Sequence, residues 1–357
     1  MRGGASFGER VIVIKLWYIL PAILVFGLLV FIHELGHFLC ARAFGVGIKE
    51  FSIGMGPRIG GWTSEKSGTK YSFRVLPFGG YVSMLGEDEE SDDEHSFSKK
   101  KVWQRMLIVL AGPAMNLIIG FLAMTIMVSS AGELYSTEIE YRELTGTAIS
   151  EANGLCNGDE ILKVGKVAVH TRHEVTYEIM RQGYEAIDVT VRRGGEVLTV
   201  ENVLFPTREA EGIVFGMWDF YGGTDDFTFA NVLKHSFFRS VSTVKMVLDS
   251  LVDLIGGRYG MEALSGPVGM AQTIGESAAA GFQSFLYIFV VITVNLGVFN
   301  LLPIPALDGG RFVFLLVEAV IHRPLNPKIE GYIHAVALLL LLGLAAVVTF
   351  NDIVRLF

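Results

Sequence analysis

Long apolar runs alternate with shorter polar ones along this chain. Residues 16–32, 106–132, 277–307 and 331–351 carry no Asp, Glu, Lys or Arg. Each is near the ~20 residues a helix needs to cross ~30 Å of hydrocarbon, so the pattern predicts four spans. The first is followed by a polar motif with no small-residue cleavage site, which predicts a retained helix and not a removed signal peptide. Between the first two spans, Tyr71, Phe73 and Val75 alternate with Ser72, Arg74 and Leu76 in a glycine-rich stretch, the period of a strand or hairpin. Backbone groups next to a bilayer must be paired, so this stretch belongs in a cavity or at the interface. Its glycine pairs, Gly60-Gly61 and Gly79-Gly80, are expected to punctuate the hairpins.

After the second span the runs shorten, with β-rich segments at 187–191 and 196–200, and a water-soluble domain of roughly 90 residues is expected. Then Phe229, Val232, Leu233, Phe237, Val241, Val244, Leu248 and Leu251 recur at helical spacing opposite Lys234, Arg239, Lys245 and Asp249. Two placements fit this amphipathic helix: flat on the membrane surface, or packed on the soluble domain. The resulting plan assigns 1–47 to the first transmembrane helix, 48–101 to a membrane-associated β region with an acidic loop, and 102–132 to the second helix. Residues 133–224 form the soluble domain, 225–275 the amphipathic helix and a linker, 276–322 the third transmembrane segment, and 323–357 the fourth helix.

Composition agrees with a membrane protein: 51% of 357 residues are hydrophobic, 18% are charged, and mean hydropathy is +0.46. Much of the net charge of −8 sits in the acidic run at 87–94, which reads as a solvated loop and gives no reason to expect a nucleic-acid partner. That run with His95 lacks the spacing and turn glycine of a calcium loop. Cys40 and Cys156 lie in different regions, so no disulfide framework is expected. Lys99, Lys100, Lys101 and Arg105 before the second span, Lys49 and Arg58 after the first, and Arg323 and Lys328 between the last two mark cytoplasmic loops. The soluble domain then faces the other side, although Arg2, Arg10 and Lys15 pull against that orientation.

The chemistry concentrates in His33-Glu34-Leu35-Gly36-His37 at the end of the first span. Positions i and i+4 of a helix share a face, so His33 and His37 can offer imidazole nitrogens to one metal ion. Glu34 lies ~100° around the axis, beside the site, where it can hold a water and accept its proton. Zinc suits two imidazoles and a carboxylate with a fourth position left for water. HExxH also arises by chance on soluble helices, but ionisable side chains inside a span cost ~2.5–3.5 kcal/mol each on insertion scales and are functional by default. Asp308 is the one acidic residue between Glu276 and Glu318 and is the candidate third ligand. Pro303, Pro305, Gly309 and Gly310 break the span around it, freeing backbone groups that can line a cavity. The alternative pairs Asp308 with Arg311 as helix glue. Asn300 and Asn116 are candidates for binding substrate or an oxyanion, while close interhelical packing beside Gly112 explains Asn116 nearly as well. His322 and His334 read as core or interface histidines, having no metal-binding partner at i+4.

These residues resemble the bacterial site-2 proteases of the regulator-of-sigma-E protease type. The matching pieces are HELGH at 33–37, AGPAMN at 111–116, SGPVG at 265–269 and NLLPIPALDGG at 300–310. The resemblance implies an α-helical polytopic membrane protein of the bacterial inner membrane, with four transmembrane helices and a membrane-associated β-hairpin region. It implies Zn2+ on His33, His37 and Asp308, Glu34 as general base, and Asn300 near substrate or oxyanion. The soluble part resembles an inserted α+β PDZ domain through Glu151-Ala152-Asn153-Gly154-Leu155-Cys156-Asn157-Gly158-Asp159, on the extracytoplasmic side. Such a domain receives a peptide C-terminus or excludes bulky ectodomains, and the chain has room for one where Gram-negative relatives carry two. Expected partners are membrane lipid and single-span proteins already shortened by an earlier cut, such as anti-sigma factors, or leftover signal peptides. The rival readings are a zinc-handling transporter that does not hydrolyse, which has no use for Glu34, and a silent PDZ scaffold, which has no use for the whole set.

Overall fold

The computed structural model describes residues 7–87, 92–141, 147–210, 212–258, 260 and 264–354. The acidic stretch at 88–91 lies outside them. The chain divides into two compact units, one of residues 1–120 with 260–357 and one of residues 121–259.

In the first unit, helix α1 (Phe7–Ala43) runs without interruption through HELGH, and its apolar span is Ile19–Ala43. The uncharged run at 16–32 is thus carried on past the two buried histidines by further helix, which a count of uncharged residues cannot follow across Glu34. Strands β1 (Ile48–Thr63) and β2 (Lys70–Met84) follow. Both bend, so the 48–53 stretch pairs with 80–84 on one side and with 70–73 on the other, while 58–63 pairs with 70–74. The pair therefore makes four ladder stretches, with 80–84 at one edge. Gly60 and Gly61 do not mark a turn; they pair with Phe73 and Ser72, and the reversal lies at 64–69. Gly79, at φ +83°, sits where β2 bends back. The two strands are tied together by Arg74, which donates to Ser52 Oγ and to a Glu50 carboxylate oxygen, each at 2.9 Å.

Helix α2 (Val102–Ser129) supplies the second span. It packs on α1 at backbone distance, because a Cβ on Gly36 would stand 2.2 Å from the Ala111 carbonyl oxygen.

The second unit opens with β3 (Leu134–Glu140), α3 (Ile149–Ala152), β4 (Glu160–Val164), β5 (Val167–Ala168) and α4 (Arg172–Gln182). It continues through β6 (Ile187–Arg193), β7 (Glu196–Val203), β8 (Thr207–Ala210), β9 (Ile213–Gly216) and β10 (Tyr221–Asp225). The sheet order is β10-β3-β4-β6-β7, with β5 on β4 and a separate β8-β9 hairpin. Ile139, Leu155, Ile161, Val164, Ile179, Val189 and Val191 fill one core beneath it. Thr171 caps α4 in a reciprocal box with Glu174.

Helix α5 (Phe229–Ile255) is the amphipathic segment. One side is bound to α4: Tyr177 donates to Asp249, Arg181 pairs with Asp253 at 3.0 Å, and Lys245 pairs with Glu178 at 2.7 Å. Phe229, Phe237, Leu248, Val252 and Ile255 remain exposed. Packing on the soluble part and an uncovered apolar face therefore coexist.

Back in the first unit, α6 (Pro267–Ala280) was expected to be linker and is helical. Asp352, buried near the C-terminal end of the chain, accepts from the backbone N–H of Gly266 at 3.1 Å and of Gly269 at 2.8 Å, satisfying donors at the α6 N-terminus. That bond explains SGPVG: Pro267 opens the helix and Gly266 admits the carboxylate, its Cβ position lying 2.8 Å from Asp352 Oδ2. The third transmembrane segment is two helices, α7 (Phe282–Leu301) and α8 (Asp308–Ile321), with the break where the prolines predict it. Helix α9 (Pro327–Val354) completes the four helices that, among the described residues, are long and apolar enough to cross a membrane. Leu338, Leu339, Leu340 and Leu342 on α9 are all exposed, an arrangement stable only in an apolar solvent.

Candidate metal centre

Three elements converge on one point. His33 and His37 stand one turn apart on α1, and the break after α7 starts α8 at Asp308, pointing its carboxylate at both rings. His33 Nε2 lies 2.9 Å from Asp308 Oδ2, His37 Nε2 lies 3.3 Å from it, and the two Nε2 atoms are 3.2 Å apart. A tetrahedral ion with bonds of ~2.0–2.1 Å needs donor separations of about 3.3–3.4 Å, so this triangle is nearly one face of a zinc tetrahedron. The histidines are buried and Asp308 is largely so, which gives three strong donors little water to satisfy them. The donor set thus fits zinc by number, type and spacing. It is also the one group of three such side chains found among the described residues.

Helix α2 holds both rings from behind. His37 Nδ1 donates to the Ile108 carbonyl oxygen at 2.8 Å, leaving the Nε2 lone pair for a metal. His33 Nδ1 meets the Asn116 side-chain amide at 3.2 Å, and Asn116 is fully buried. The amide atom at that distance is Nδ2, which donates to Nδ1 while Nε2 carries the ring proton toward Asp308; with a metal on Nε2, Nδ1 would carry the proton and the Asn116 amide would turn its oxygen to accept it. That amide orientation also gives a partner to Oδ1, which otherwise has none. Gly112 lies between these two contacts because nothing larger fits: its Cβ would stand 2.3 Å from His37 Nε2 and 2.9 Å from His33 Nε2.

Glu34 points elsewhere, toward the hairpin. The backbone N–H of Val82 donates to Glu34 Oε2 at 3.0 Å. Val82 belongs to the edge stretch of β2, whose next outward N–H, at Met84, is taken by Glu87. Glu87 in turn pairs with Arg311 of α8, and Arg105 of α2 pairs with Glu318 of α8. One expectation is corrected here, and one rival reading is set aside. Glu87 is not part of a solvated loop, because Arg311 holds it; and Arg311 is not the partner of Asp308, whose carboxylate is turned to the histidines.

A model of peptidase family M50 matches residues 21–344. The chain belongs to this family. It is 35% identical, over 94% of its length and 97% of the relative's, to a Clostridium acetobutylicum protein provisionally named a zinc metalloprotease. It is 28% identical over 95% of its length to the regulator of sigma-W protease RasP of Bacillus subtilis, and 29% identical to the zinc metalloprotease RasP of Shouchella clausii, covering 99% of each. The M50 chain is therefore a zinc metalloprotease of a membrane, of the site-2 protease type. Held there by His33, His37 and Asp308, zinc would supply Lewis acidity that brings water ionisation toward neutral pH and polarises a carbonyl.

The geometry unites His33, His37, Asp308 and Asn116, with Glu34 on the adjoining face of α1. Asn300 sits in the last turn of α7, and its side chain makes no hydrogen bond among the described residues. Sequence reasoning missed the Val82 amide and the Ile108 carbonyl, because backbone groups have no signature in residue identity. Gly112 had a signal, standing four residues before Asn116 in a run of small side chains.

Proposed function

We propose that this metalloprotease hydrolyses peptide bonds within or beside the transmembrane segments of single-span proteins, anti-sigma factors or remnant signal peptides among them. The observation that carries the reading is the Val82 N–H on Glu34, which sets the edge stretch of a sheet beside the motif carboxylate. A transmembrane helix hides its carbonyls in its own hydrogen bonds and must be extended before water can reach one. An edge strand offers replacement bonds. A peptide laid along Gly80 and Val82 takes the Val82 N–H from Glu34 and so frees that carboxylate, beside the ion that His33, His37 and Asp308 would hold. Glu34 then accepts the proton of the attacking water and returns it to the leaving amine. Asn300 binds substrate or the oxyanion in this scheme, while Asn116 orients His33.

Residues 133–224 are proposed to be a PDZ domain that receives a peptide C-terminus or filters substrates by size, and the basic loops support a position for it outside the cytoplasm of a bacterial inner membrane. A non-hydrolytic transporter has no role for Glu34.

The test is cleavage of a purified single-span protein by the detergent-solubilised enzyme with zinc. Glu34→Gln should abolish cleavage and keep the metal, whereas His33→Ala should lose both. Turnover by Glu34→Gln equal to wild type would remove this mechanism.

A further inference from the structure

The carboxylate of Asp308 is only as well placed as the turn that precedes it, and that turn carries an unusual residue. Residues 304–307 form a β-turn, closed by the Leu307 N–H to the Ile304 carbonyl at 3.1 Å. Pro305 stands at its second position and Ala306 at its third, with φ +77°. This is the geometry of a type II turn, whose third position is ordinarily Gly because a Cβ is disfavoured there. The N–H of that third residue has no partner within such a turn, and at membrane depth water is not at hand to supply one.

Helix α9 supplies it. The Ala306 N–H donates to His334 Nδ1 at 2.8 Å. His334 is therefore neutral, with its proton on Nε2, where the nearest carboxylate oxygen, of Glu330, is 3.8 Å away. Its ring also packs on Phe314 of α8 at 5.3 Å. Below the turn there is no slack. A Cβ on Gly309 would stand 2.2 Å from the Leu302 carbonyl oxygen, and one on Gly310 would stand 2.4 Å from that of Ile304.

We infer that His334 is a positioning residue for the metal centre: by accepting the Ala306 amide it locks the turn that aims Asp308 at His33 and His37. The inference rests on the reading of Asp308 as a zinc ligand and extends it to a side chain on a different span. His334 does not touch the ion or the substrate.

The test is zinc retention by the full-length protein in detergent against a competing chelator. It is run in the Glu34→Gln background, so that cleavage plays no part. His334→Asn places an amide oxygen where Nδ1 stood and should hold zinc within about twofold of its parent. His334→Gln places its oxygen too far out, and His334→Leu offers none; loss of one hydrogen bond predicts metal affinity about three- to tenfold weaker for both. The Asn and Gln variants are similarly polar, so their contrast stands even where the Leu variant folds poorly. Parental retention by His334→Gln, or equal loss by His334→Asn, would overturn the inference. A parent protein that binds no zinc would instead sink the metal reading on which it stands.

Discussion

Adding one methyl group at Gly112 should separate metal binding from folding. In Gly112→Ala the new Cβ would lie 2.3 Å from His37 Nε2, 2.6 Å from His37 Cε1 and 2.9 Å from His33 Nε2. Ordinary contact begins near 3.4 Å, so the His37 ring must move by about 1 Å, while donor distances in a metal site are held to roughly 0.2 Å. Overpacking of this kind costs about 1–3 kcal/mol, here charged to the metal-bound state, or roughly fivefold to 150-fold in zinc affinity. Within α2 itself, Ala is favoured over Gly by about 0.5–1 kcal/mol, so the metal-free protein should not unfold more readily. The assay is zinc content after chelator challenge, read beside the thermal unfolding midpoint of the metal-free form. Gly120→Ala is the matched control. Its Cβ meets Val294 Cγ2 at 2.9 Å, a methyl group of α7 and not a ligand ring. It should keep its zinc. A Gly112→Ala protein that retained zinc as wild type does would refute the argument that α2 is pressed against the ligand rings.

Two further outcomes follow from other contacts. Asn116→Leu removes the amide partner behind His33 while filling the same space, and should weaken zinc binding by about tenfold or more, as loss of such an outer partner does elsewhere; isothermal titration of the metal-free protein checks it. In the second unit, burial, aided by the Arg239 charge, depresses His173 from 6.5 to about 4. The unfolded chain then binds the extra proton between those values, so the stabilisation is complete above about pH 6.5 and is lost as pH falls toward 4. By pH 5 the loss is on the order of 2 kcal/mol. His173→Gln should flatten that dependence in thermal unfolding at pH 7 and pH 5, and an unchanged slope would remove His173 as its source.

Much of the metal centre is legible before any folding is considered. Two histidines four apart on a helix share a face by the geometry of the helix alone, and a lone carboxylate in a broken apolar segment has few other reasons to be there. The four spans follow equally directly, because hydrocarbon thickness fixes how long an uncharged run must be. Boundaries were less legible: α6 hid because its N-terminus is satisfied by Asp352, far along the chain.

What residue identity alone determined is therefore the apolar spans, the motif and the candidate ligands. The tertiary structure alone decided how those ligands are held. The Ile108 carbonyl behind His37, the Val82 amide on Glu34 and the Ala306 amide on His334 are backbone groups, identical in every residue except proline. Only the path of the chain gives them a direction, and no pattern of side chains records it.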